Sequence, residues 1–294
     1  MVDKAISIAI IIILIIVMVS LGCTMELSKI KAHFLKPKGV VIAIVAQYGI
    51  MPLTAFSMAK AFQLRPKEVV AVLICGCCPG GNLSNIFALA SQGDMNLSIV
   101  MTTCSTVLAL GMMPLMLYLY CQGFSNLGDA IPYGRIIIAL LMTLVFCAIG
   151  MYINHRVPQY SKTVAKVGMT IAVVTYVTIG ILAGATAGDA IFKATSSKLL
   201  AISALMPLIG YTLGYVLSTL FKLNGSSKRT ISMETGCQNL QLCITILKVA
   251  FRPEDIGMLY LFPVIQIMFQ IIEALVFVFL FRCHQRFRKS SKGI

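Results

Sequence analysis

Two short runs of this chain put oxygen-bearing side chains inside stretches apolar enough to cross a bilayer. Asn82, Ser84 and Asn85 follow Pro79-Gly80-Gly81, and Glu234 opens the run Glu234-Thr235-Gly236-Cys237-Gln238-Asn239. A helix interrupted at membrane depth leaves N–H and C=O groups that lipid cannot satisfy. Such a break survives only where it is buried in protein or lines a cavity. Two breaks, one in each half of the chain, point to a secondary transporter with an ion site near the midplane. Glu234 is the ionisable group of the second run, and ionisable groups at membrane depth are costly and functional by default. One carboxylate among neutral oxygens suits a hard monovalent cation such as sodium better than calcium. The bland alternative is a structural carboxyl held by hydrogen bonds.

Further oxygens lie close by in sequence. Ser98 and Thr102 are four apart, so they share a helical face. Helix–helix packing explains such hydroxyls when they stand alone. Beside the two breaks and Glu234, a ligand role becomes the better reading. Gln47, ahead of Tyr48-Gly49-Ile50-Met51-Pro52, is either a ligand or an interhelical hydrogen-bond partner. Glu273, near Gln266 and Gln270 in an uninterrupted segment, reads as a packing or structural carboxyl. Pro114, Pro207 and Pro263 read as kinks.

These residues need a membrane scaffold, and the composition supplies one. The chain of 294 residues is 59% hydrophobic and only 12% charged, with mean hydropathy +0.92. Soluble domains are about one quarter charged. Nine apolar segments can be counted, at roughly 5–24, 39–62, 68–90, 97–120, 133–153, 165–185, 199–221, 230–250 and 257–281. The first reads as a membrane helix rather than a signal peptide, because its core is long and no small-residue cleavage site follows. Most of the ten cysteines sit in apolar segments and behave as small hydrophobes. His33, His155 and His284 fall in expected loops, and no His/Cys spacing suggests a metal site. The net charge of +14 could suggest nucleic acid, but the basic residues lie between segments and in the tail. Fifteen Lys and Arg fall on one side, including Lys29–Lys38, Lys222–Arg229 and the tail, against nine on the other. The richer side is expected to be cytoplasmic, with the N-terminus outside and the C-terminus inside.

Four stretches resemble the sodium/bile acid co-transporters of solute carrier family ten. They are Ala46–Thr54, Cys77–Asn85, Gly93–Thr106 and Met233–Asn239, and the likeness extends over nearly the whole chain. The run Asn82-Leu83-Ser84-Asn85 is similar to the liver branch of that family. The resemblance implies an all-α integral membrane fold of nine transmembrane helices, built as an inverted repeat with two crossed broken helices. It implies a panel, 5–24 and 133–185, that moves against a core, 39–120 and 199–281. It carries a first sodium site onto Ser84, Asn85, Ser98, Thr102 and Glu234. A second falls on Gln47, Glu234 and Gln238, with backbone carbonyls near Thr235 and Cys237. The family's extracellular lead is usually longer and glycosylated, so a trimmed N-terminus is one reading of this chain.

The expected function is symport of conjugated bile acids such as taurocholate by alternating access, with about two sodium ions per bile salt. No cofactor is expected, since sodium is a co-substrate. The expected partners are bile salts, other amphipathic organic anions, sodium and the bilayer of the plasma membrane, with no nucleic acid. The rival within the family is a carrier of sulfated steroids or of another substrate. A sodium/proton antiporter would need titrating aspartates at the crossing, but Asp3, Asp94, Asp129, Asp189 and Asp255 lie at segment ends or in loops. An intramembrane enzyme lacks paired aspartates or a Ser/His pair in the spans.

Overall fold

A computed structural model describes residues 2–25, 38–124, 127, 131–186, 196–251 and 261–290. His33, Lys29, Lys31, Lys36, Lys193, Arg252, Lys292, Asp129, Asp189 and Asp255 lie outside the described residues. Every regular element described is a helix. In chain order these are α1 (Val2–Thr24), α2 (Lys38–Ala61), α3 (Pro66–Cys77), α4 (Asn82–Ala90), α5 (Met95–Cys121) and α6 (Tyr133–Arg156). There follow α7 (Pro158–Thr186), α8 (Ser197–Leu220), α9 (Gly225–Gly236), α10 (Leu240–Ala250) and α11 (Leu261–Ser290).

Five helices are long and apolar enough to cross a membrane: α2, α5, α6, α8 and α11 over Leu261–Arg286. Their outward faces carry Val107, Leu115, Val145, Tyr152, Val216, Leu275 and Phe279, all exposed. Large contiguous apolar surface of that kind marks contact with lipid rather than water.

Local chemistry sets the helix ends. Asp94 caps α5 by accepting from Leu97 N at 3.1 Å, and Asn224 caps α9 by accepting from Ser227 N at 2.7 Å. Asn239 caps α10 at Leu242 N, 3.0 Å, and Ser196 caps α8 at Leu199 N, 3.3 Å. Each satisfies one of the donors that a helix start leaves open. Glu68 closes a capping box at the start of α3 and pairs with Arg65 at 2.7 Å.

Several expectations are corrected. His155 lies in the last turn of α6 and His284 lies on α11, so neither is in a loop. Polar helix formers carry these helices past the apolar run. The breaks are also shorter than the runs that announced them. Asn82–Asn85 already belong to α4, and Glu234–Gly236 still belong to α9. Asn, Ser and Glu at a helix end use the helix's own backbone bonds, so only the Pro/Gly run and residues 237–239 leave the helix. In α2, residues Ala46–Ile50 form a π turn, with Met51 N–H reaching back to Ala46 O. Pro52 has no N–H to continue the ladder, and the wider turn absorbs the mismatch.

Packing sorts the helices. α1, α6 and α7 pack on one another, α8 packs on α9 and α11, and α4 packs on both α5 and α9. The largest buried apolar cluster joins α2, α3, α5, α6, α8, α10 and α11 around Met51, Leu73, Met113, Leu140, Met206, Leu247 and Phe262.

Candidate cation site at the helix crossing

The two breaks meet. Pro79 biases Cys78 to an extended conformation (φ −63°, ψ 150°), which ends α3. Cys237 is extended after α9 (φ −92°, ψ 90°). The two extended pieces lie antiparallel, with Gly80 opposite Gln238. Gly81 N donates to Cys237 O at 2.9 Å and Asn239 N donates to Pro79 O at 2.8 Å. Each break thus satisfies backbone groups of the other, which is how unwound chain survives at membrane depth. The approach needs glycine. A Cβ on Gly81 would lie 2.8 Å from Gln238 O, and one on Gly80 would overlap Glu234 Oε1.

Glu234 sits in the last turn of α9 and is 2% exposed. Ser84 Oγ donates to its Oε2 at 2.5 Å, and Thr102 Oγ1 lies 2.8 Å from its Oε1. Ser98 Oγ donates to Asn85 Oδ1 at 2.7 Å, and Thr102 Oγ1 lies 3.5 Å from the same atom. Ser84, Asn85, Ser98, Thr102 and Glu234 therefore form one buried cluster drawn from α4, α5 and α9. Both hydroxyls beside the carboxylate have a second acceptor. Ser84 Oγ is 2.7 Å from Gly81 O, and Thr102 Oγ1 is 3.0 Å from Ser98 O. Each proton can swing to a backbone carbonyl and leave a lone pair of the hydroxyl oxygen facing the carboxylate. Among the described residues no Lys, Arg or His pairs with Glu234; the ion pair seen is Arg65–Glu68.

A second polar group lies beside the first. Gln47, in the π turn, donates to Cys78 O at 2.7 Å and to Gln238 Oε1 at 2.8 Å. Gln238 Nε2 donates to Thr235 O at 3.1 Å. Gln47 Oε1 is buried without a partner, an acceptor facing inward with nothing to accept from. Glu234 makes no hydrogen bond to Gln47 or Gln238, so its carboxyl belongs by contact to the first cluster. Cys237 contributes an already engaged carbonyl, and its Sγ lies 3.0 Å from Tyr211 Oη.

Sequence reading missed three supports. Gln270 of α11 brackets the Gln238 peptide, accepting from its N at 3.1 Å and donating to its O at 3.4 Å. Ser105 Oγ accepts from Gly80 N at 3.3 Å and donates to Thr102 O at 3.1 Å. Tyr48 donates to Ser105 O. The signal for Gln270 was its place between Gln266 and Glu273, of which only Glu273 was given a reading, as a packing or structural carboxyl. Glu273 Oε2 and both amide atoms of Gln266 are buried without partners.

A cavity of about 50 Å³ lies beside the first cluster, lined by Ser20, Leu21 and Thr24 of α1, Asn82 and Asn85 of α4, and Ala165 and Met169 of α7, among others. At the opposite end of the same packing boundary, Arg135 Nη1 of α6 donates to Ala250 O of α10 at 3.2 Å.

Residues 11–194 match the Sodium Bile acid symporter family. The chain is 54% identical to the human hepatic sodium/bile acid cotransporter over 97% of this chain and 82% of that protein. It is 41% identical to the human sodium-dependent organic anion transporter over 94% of this chain and 73% of that one. It is 40% identical to the human ileal sodium/bile acid cotransporter, covering 94% and 79%.

Proposed function

Because the chain belongs to the Sodium Bile acid symporter family, we propose that it imports conjugated bile acids together with sodium, by alternating access. It is a transporter and not an enzyme. The observation that carries the sodium reading is Glu234: a carboxylate buried at the crossing of two broken helices, supplied with hydroxyls and with no cationic side chain beside it among the described residues. A buried charge needs a partner, and here a cation substrate is that partner. Ser84, Asn85, Ser98, Thr102 and Glu234 hold the first sodium ion. Its arrival turns the Ser84 proton to Gly81 O and the Thr102 proton to Ser98 O. Gln47, Gln238 and carbonyls near Thr235 and Cys237 hold a second, for which the unpartnered Gln47 Oε1 is a ready ligand. Glu234 offsets one of the two positive charges.

Two sodium ions against one carboxylate leave the crossing near +1, which favours an anionic co-substrate. Carrying two sodium ions with one monoanion moves net +1 inward, and the membrane potential then contributes about 2.3 kcal/mol per 100 mV. The helices make nine crossings: five long helices, α1, α7 and the two broken pairs α3–α4 and α9–α10. The panel is α1, α6 and α7, and the core is the rest, related internally by an inverted repeat. The N-terminus is extracellular and the C-terminus cytoplasmic, in the plasma membrane. The cavity beside Asn85 lies at the cytoplasmic half of the panel–core boundary, and Arg135 ties the extracellular half. This supports an inward-facing state.

The deciding experiment is uptake of labelled taurocholate with sodium replaced by choline. Loss of uptake is expected, with a Hill coefficient for sodium above one, and unchanged uptake would overturn the symporter. The 41% identity to a sodium-dependent organic anion transporter supports a wider anion range. Competition between taurocholate and a steroid sulfate measures it.

A further inference from the structure

Several basic residues on the side assigned to the cytoplasm are gathered where three helix ends meet, held there by hydrogen bonds. On the side assigned to the cytoplasm the sequence has fifteen Lys and Arg but only Glu26 and Asp94 as acids. The Asp94 carboxylate caps α5. α11 is 30 residues long, or about 45 Å at 1.5 Å per residue. A hydrocarbon core is about 30 Å thick. The end of α11, from Arg282 on, therefore stands beyond it.

There α11 meets the inner ends of both half-helices that carry the cation oxygens. Arg282 Nε donates to Ala90 O at 2.6 Å, at the end of α4. Arg229 Nη2, near the start of α9, donates to Gln92 O at 2.6 Å. Gln285, with its amide oriented for its neighbours, accepts from Arg229 Nε at 3.1 Å and donates to Gln92 Oε1 at 2.8 Å. Neither arginine is ion-paired among the described residues. Arg282 and Arg286 are exposed, and Lys228 and Arg229 are half-buried. Directly on the membrane side of this cluster the surface is apolar: Leu89, Phe279 and Leu280 are 62%, 67% and 54% exposed. Cations at the edge of a lipid-facing belt sit at headgroup depth, where clustered Lys and Arg recognise anionic lipid.

We infer that the rim formed by the α4–α5 turn, the start of α9 and the end of α11 binds the phosphate-bearing headgroup of an anionic phospholipid of the inner leaflet. Arg229 and Arg282 hold it, with Lys228 and Arg286 adding charge. A headgroup there braces the cytoplasmic ends of α4 and α9 against α11, and so steadies the helices that carry Ser84, Asn85 and Glu234. The inference rests on the orientation proposed above but not on the substrate.

The test is binding of phosphatidylserine to delipidated, purified protein, titrated in phosphatidylcholine vesicles and read by native mass spectrometry. The unsubstituted chain is compared with Arg229→Gln/Arg282→Gln and with Lys162→Gln/Lys166→Gln, which removes the same charge from α7 on the same side. Each rim cation removed is expected to weaken binding about fivefold, about thirtyfold for the pair, at roughly 1 kcal/mol per basic residue. The α7 pair is expected to change it little. Equal weakening by both pairs would overturn the site and leave only a general surface potential. If the rim pair does not fold, Arg229→Lys/Arg282→Lys keeps the charge and is expected to retain binding; loss there also overturns the inference. Excess soluble glycerophosphoserine is expected not to compete. Competition at equal affinity would mean the rim takes a soluble phosphate instead. Sodium-dependent uptake is measured in parallel, so a failure of transport with intact lipid binding falls on the function and not on the rim.

Discussion

Glu234 is a single atom group on which both charge and geometry depend. Glu234→Gln keeps the shape but removes the negative charge, and its single amide oxygen can accept from only one of Ser84 and Thr102. Taurocholate uptake is expected to be nearly abolished at normal surface expression, and raising sodium is expected not to restore it. Thr102→Ala is different, since it removes one neutral oxygen and leaves the carboxylate. Loss of such a partner costs about 1–3 kcal/mol, so half-saturation for sodium should rise by about fivefold to a hundredfold. High external sodium should then rescue uptake, and a sodium titration of the two variants side by side separates the cases. Ser84, Asn85, Ser98, Thr102 and Glu234 were all legible as oxygen donors, because type and helical spacing are local properties. Their convergence into one cluster came from three separate helices. Gln270 was given no role from the sequence, because nothing local says that its amide meets a peptide in another helix.

At the scale of elements, the crossing holds because each unwound piece finds partners in the other and in α11. Gln270→Leu removes both bonds to the Gln238 peptide and leaves buried N–H and C=O groups unpaired. We expect a destabilised protein, with a lower thermal midpoint in detergent and a reduced Hill coefficient for sodium, because Gln238 no longer holds its position. An unchanged midpoint would mean that the antiparallel contact of Gly80 with Gln238 suffices alone. The breaks themselves were readable from Pro79-Gly80-Gly81 and from the polar run after Glu234. Their true limits were not, since Asn82 and Glu234 keep helical bonds that the residue types do not reveal. The π turn in α2 was also hidden: Pro52 announces a disturbance, but a kink and a widened turn satisfy it equally, and only packing chooses.

For the whole molecule, α1 and α6 meet α4 and α10 through few polar contacts among the described residues, and we propose that the contact at the end of that boundary serves as a gate. Asn82 Nδ2 donates to Val17 O at 3.4 Å near the middle, and Arg135 Nη1 to Ala250 O at 3.2 Å at the other end. Arg135→Ala is expected to favour opening of the extracellular side. A cysteine placed at Val17, which is buried, should then react faster with an impermeant maleimide added outside. An unchanged rate would assign Arg135 to helix capping alone. The sequence by itself determined that this is a helical membrane protein with two interrupted spans and an oxygen-rich, singly acidic centre. Apolar run length, Pro/Gly punctuation and the cost of charge in lipid are all decided residue by residue along the chain. The tertiary structure alone decided which oxygens meet, because Gly80 and Gln238, or Glu234 and Thr102, are joined only by the crossing of helices. That crossing is a global packing outcome, driven by the need to satisfy every broken backbone group away from water.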